Sequence, residues 1–193
     1  METYKSIAAI EASSASAWRT WLKKNHDVER SVWLIIYRKE SGIPSVYYPE
    51  AVDEALCFGW VDSKANKRDD KSYYQFFSKR NPKSNWSKVN KEKVARLIDA
   101  GSIAPAGMDM IRIAQENGAW TALDAVEELV VPEDLSKAFG KKPKAFRNWE
   151  QFPRSVKRGI LEQLLNAKKA ETRAARIKNI VDAAAENLRF GFR

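Results

Sequence analysis

The sequence predicts an α+β protein, with a small antiparallel-type sheet of about three strands packed by helices and followed by an all-helical C-terminal part. Three observations carry this expectation. Residues 31–38 read SVWLIIYR, a continuous apolar, β-branched run of strand length. Residues 61–65 and 72–77 are extended candidates joined by the polar run 66–71, most economically a β-hairpin. From Ser84 onward the apolar residues recur mainly at helical spacing.

Taken in order, Trp18, Trp21 and Leu22 share one face of a short helix that Ser13 or Ser14 can cap. The strand at 31–38 is apolar on both faces and is expected inside a sheet covered on each side. Gly42, Pro44 and Pro49 mark a loop, and Pro49 suits the first turn of a helix bearing Ala51, Val52, Ala55, Leu56 and Phe58, which Gly59 ends. After the hairpin, Ser84 is expected to cap a helix containing Trp86, Val89, Val94, Leu97 and Ile98, ending at Gly101. A second helix runs from Pro105 to Gly118, and a further one centres on Leu123, Val126 and Leu129. Beyond Pro132 the segments 132–135, 143–149, 153–166 and 170–188 all read as helices. The expected division is an α+β domain at 1–131 and a helical subdomain at 132–193.

Composition excludes several function classes. Among 193 residues there is one cysteine and one histidine, so neither a disulfide framework nor a Cys/His zinc site can be built within the chain. No cofactor is implied and no metal site is expected. Lys and Arg number 34 against 25 Asp and Glu, a net charge of +9. The excess is segregated: residues 61–100 carry 11 basic and 5 acidic groups and residues 132–193 carry 15 and 7, while residues 101–131 carry 1 and 5. Ser14 to Ala17 resembles a signal cleavage site, but the apolar run before it is only Ile7 to Ile10, between Glu2 and Glu11. With no apolar run near the ~20 residues of a membrane span, a cytoplasmic location without a transmembrane segment is expected.

The dinucleotide, P-loop, nucleophile-elbow and zinc-helix signatures do not occur. His26 falls at the expected end of the first helix, where an imidazolium favours the dipole, and Cys57 falls on an apolar side, where a thiol is inert. A lone Asp53 or Asp62 is thin support for acid/base catalysis. The densest stretch runs from Phe58 to Asn90. It brings together FGWVD, YYQFFSKR and SNWSKVN. Folded back on itself, the stretch offers Trp60, Asp62, Arg80, Ser84, Trp86, Ser87 and Asn90 as a pocket for a small or acidic ligand at a helix N-terminus. The same residues also fit a second reading, in which the aromatics anchor the core, Arg80 pairs with Asp62 and Ser84 caps. Lys169, Arg173 and Arg176 recur at i, i+4, i+7, a basic stripe that suits either nucleic-acid phosphates or a solvated face.

The motifs EALCFGWVDS, YYQFFSKRNPKSNWSKVN, LIDAG with PAG, NGAW, VPEDLSKAF and AKKAETRAARI occur in this order between about residues 30 and 190. In this the chain resembles the family of bacteriocin-protection, YdeI or OmpD-associated proteins. The resemblance implies a role in stress or antimicrobial-peptide resistance, with a possible envelope role, and carries no reaction or cofactor with it. Ser78-Lys79-Arg80 stands where many members of that family carry a Pro-Arg pair. A net charge of +9 is poorly suited to capturing cationic peptides directly.

Overall fold

The sheet begins in residues with little strand signal. β1 (Glu2–Tyr4) and β2 (Ile7–Glu11) pair antiparallel through a turn in which Lys5 and Ser6 both adopt positive φ, at 50° and 61°. That is the turn handedness whose twist matches the flanking strands. In the computed structural model, which describes residues 2–189, helix α1 (Ala15–Asn25) follows. Ser14 caps it by accepting from the Ala17 N–H, as the spacing predicts. The helix crosses to β3 (Ser31–Tyr37), which pairs parallel with β2, so the first half of the sheet is a βαβ unit.

A 3-10 turn at Lys39–Ser41 leads to α2 (Tyr48–Cys57) and then to the hairpin of β4 (Trp60–Lys67) and β5 (Ser72–Lys79). Asp69 organises the hairpin loop, its Oδ1 accepting from the backbone N–H of Lys71 and Ser72 and from the Ser72 hydroxyl. The strand order is β1-β2-β3-β5-β4. The α+β class is therefore correct, but among the described residues the sheet is mixed and has five strands instead of about three antiparallel ones. The two added strands are short, and their turn carries no Gly or Asn.

β3 lies between β2 and β5. Its Val32, Leu34 and Ile36 enter the main core with Trp18, Leu22, Leu56, Trp60 and Phe77, and Trp33 and Ile35 enter a second cluster with Ala9 and Tyr74. Tyr4 stacks on Tyr74 in that cluster at 4.3 Å, and Lys64 lies over the rings of Trp33 and Phe76. Helices α3 (Lys88–Asp99) and α4 (Pro105–Glu116) complete the packing. Ser84 is not the cap of α3. Ser87 is, through its Oγ and the Asn90 N–H, and Trp86 precedes the helix. Ser84 instead closes its own turn by donating to the Asn81 carbonyl at 2.7 Å.

These elements form one compact unit, Met1–Ala122, and Leu123–Arg193 forms another. Within the described residues the second unit is helical throughout: α5 (Asp124–Glu127), α6 (Glu133–Gly140), α7 (Pro143–Glu150), α8 (Arg154–Leu165) and α9 (Ala170–Ala185). Residues 190–193 of the expected C-terminal part lie outside the described residues. The core here gathers Leu135, Phe139, Trp149, Leu161, Leu164 and Ile180, all at most 3% exposed. Among the described residues no helix is long and apolar enough to cross a membrane.

Candidate functional site

Arg80 follows β5 directly, and its backbone N–H donates to the carbonyl of Gly59 just before β4. The chain then turns through residues 81–85 and reaches Trp86 ahead of α3. This geometry lays the Arg80 guanidinium over the Trp86 ring, 3.7 Å from its centroid. Arg80 is 5% exposed and Trp86 1%. One guanidinium nitrogen, Nη2, donates to the Asn85 carbonyl at 2.7 Å, whereas Nε and Nη1 are buried without a hydrogen-bond partner. Burial pushes the guanidinium down to about 10, with only the Asp62 carboxylate acting the other way, so it remains protonated at neutral pH.

Asp62 does not pair with Arg80 as the core-anchor reading expects. Its Oδ2 accepts from the Tyr48 hydroxyl at 2.7 Å, and burial together with this carboxylate pushes Tyr48 up to about 12. Tyr48 carries no motif signal. Its position at the start of α2, beside Pro49, gives none either. Trp60 is fully buried in the aromatic cluster, edge-on to Trp21 at 5.9 Å, with its indole N–H donated to the His26 carbonyl. The seven candidates thus separate. Arg80 and Trp86 are in contact, Ser87 and Asn90 form the helix cap, Ser84 closes a turn, and Trp60 and Asp62 belong to β4.

The remaining single-residue candidates are engaged in structure. His26 terminates α1, with Nδ1 3.0 Å from the Leu22 carbonyl and Nε2 3.3 Å from Asp27. Cys57 is fully buried, and desolvation pushes its thiol up. Asp53 binds Lys93 and Arg96, each at 2.5 Å, locking α2 to α3. A hollow of about 540 Å³ that no motif announced opens beside His26, lined by Arg19, Lys23, Phe58, Ala106 and Asp109. Arg19 is already held by Glu54 and by the Ser102 carbonyl, and Asp27 and Asp109 share the lining.

In the C-terminal unit Lys169 stands at the cap of α9. Arg173 forms a two-pronged bond to Asp134, at 2.5 and 2.9 Å, and also donates to the Leu164 carbonyl. Arg176 donates to the Gln163 carbonyl. Both arginines of the stripe thus tie α9 to its neighbours. Among the described residues no cluster of His, Cys, Asp and Glu could hold a metal ion.

Residues 10–110 match the model of a family described as a domain of unknown function, DUF8412. The chain belongs to the DUF8412 family. Residues 128–187 match a second model, described as bacteriocin-protection, YdeI or OmpD-associated. The YdeI/OmpD-associated match thus falls within the helical unit, and the stretch from Phe58 to Asn90 that holds Arg80 and Trp86 falls within the DUF8412 match. No curated protein and no solved structure matches the chain.

Proposed function

We propose that this protein holds a small anion, a carboxylate or a phosphate, against the Arg80 guanidinium, and that this binding underlies the protective role carried in the name of the YdeI/OmpD-associated family. The observation that carries the reading is the incomplete pairing of Arg80. Its Nε and Nη1 bear three of the five guanidinium N–H donors. Asp62 acts on this cation only at a distance, and a buried cation that no carboxylate bonds costs several kcal/mol, which an anion drawn from solution offsets. Trp86 supplies a rigid platform beneath the guanidinium, and Ser87 with Asn90 holds the start of α3 beside it.

The cover is the loop 81–85, which is held to Arg80 through the Asn85 carbonyl. Lys83 and Asn85 also line a shallow hollow of about 380 Å³ with Asn117 and Ala119. Asn85 therefore stands both on that hollow and on the guanidinium, and it is the residue an entering anion would displace. Thermal unfolding in phosphate, sulfate, succinate and citrate tests the reading. Saturable stabilisation of the wild type, absent from Arg80→Met, supports it. Equal stabilisation of both proteins removes it.

A further inference from the structure

The helical unit carries a second surface unrelated to Arg80. Between α6 and α7 a groove of about 380 Å³ is lined by Ser136, Phe139, Gly140, Pro143, Phe146 and Arg147. Its floor is aromatic: Phe139 is 2% exposed, and Phe146, 5.7 Å away between ring centroids, is 41% exposed. One large apolar side chain, Phe146, is thus left open at the rim of a concavity whose floor is Phe139. The groove has room for one large side chain.

Charge selects the occupant. No carboxylate lines the groove, while Arg147 lies on its wall and Lys144 follows Pro143 in the chain; Lys141 lines a separate hollow with Asp134 and Asp182. Lys137 and Lys142 nearby are neutralised by Glu133 and Asp182. No ion pair engages Lys144 or Arg147 among the described residues, and both are exposed. The concavity favours an inserted side chain over a bilayer, because membrane-binding helices present a convex apolar face.

We infer that this groove docks an acidic peptide segment of a partner protein, with one apolar side chain inserted between Phe139 and Phe146 and its carboxylates on Lys144 and Arg147. Gly140 gives the test a clean handle. It ends α6 without a positive φ, and a Cβ added to it meets nothing within 4 Å, so a larger residue fills the groove without straining the fold.

A phage-displayed library of random peptides is selected on the full-length protein, and the enriched peptides are synthesised and titrated. The inference expects an apolar residue set among Asp and Glu, binding that falls at least tenfold in Gly140→Leu and in Lys144→Glu/Arg147→Glu, and weakening with salt. Gly140→Ala, with circular dichroism on every variant, guards against misfolding as the cause. No enrichment, enrichment of peptides without carboxylates, or equal binding to Gly140→Leu overturns the inference. So does preferential binding to phosphatidylglycerol vesicles, or concentration-dependent self-association that Gly140→Leu abolishes.

Discussion

Gly107 in α4 lies directly against the carbonyl of Cys57 at the end of α2: a Cβ at Gly107 would overlap that oxygen and stand 2.8 Å from the carbonyl carbon. The contact is backbone to backbone and cannot relax by a rotamer change. It fixes the approach of α4 to the turn at Gly59, whose φ of 70° and closeness to Met110 exclude a side chain there as well. Gly107→Ala is therefore expected to destabilise the protein by about 1–3 kcal/mol. Gly159→Ala in α8, where a Cβ meets open space, is expected to stabilise it by up to about 1 kcal/mol. Urea unfolding of the two variants reads both signs.

The α3 cap separates two serines that look alike in SNWSKVN. Ser87→Ala removes the side-chain acceptor of the Asn90 N–H and should cost about 1 kcal/mol. Ser84→Ala removes only a local turn bond on an exposed loop and should cost less than half as much. Equal losses in chemical denaturation would mean that Ser84 shares the cap.

Asp134 predicts how the helical unit responds to acid. The Arg173 guanidinium holds its carboxyl below the ordinary value of 3.8. Because the folded pKa lies below the unfolded one, the stabilisation is complete above about pH 4 and is lost as pH falls through the folded value. Asp182, which Lys142 and Lys178 lower to about 2, follows the same sign. Asp134→Asn should therefore lower stability at pH 6 and flatten its fall between pH 4 and pH 2, as read by denaturation at fixed pH.

Tyr48 and Asp62 make a prediction at the alkaline end. Desolvation is the larger cause of the raised phenol and the Asp62 carboxylate the next. Asp62→Asn should lower the Tyr48 midpoint from about 12 without returning it to 10, as followed by tyrosinate absorbance. An unchanged midpoint would place the whole effect in burial.

Much of the fold was legible because strand and helix leave different periods. The run SVWLIIY became β3, the polar segment after Lys67 became a hairpin loop, and Pro105, Pro143 and Pro153 open helices or stand at their caps. The first hairpin was not legible, because β2 reads IAAIE and its turn places Lys5 and Ser6 at positive φ without Gly or Asn. The candidate site was legible as a list of residues and not as a geometry. Spacing cannot tell that Asp62 turns to Tyr48, leaving Arg80 with Trp86 and a peptide carbonyl.

Whether Arg80 receives an anion is read directly from its Nε–H resonance in the guanidinium NMR spectrum during titration with citrate or phosphate. A saturable shift of that resonance together with the Trp86 indole signal is expected, absent with the same ionic strength of chloride, and in Arg80→Lys the Trp86 shift is expected to vanish. An Arg80 resonance that stays in place while the anion is raised to saturating concentration would contradict anion binding and leave the residue as a core strut.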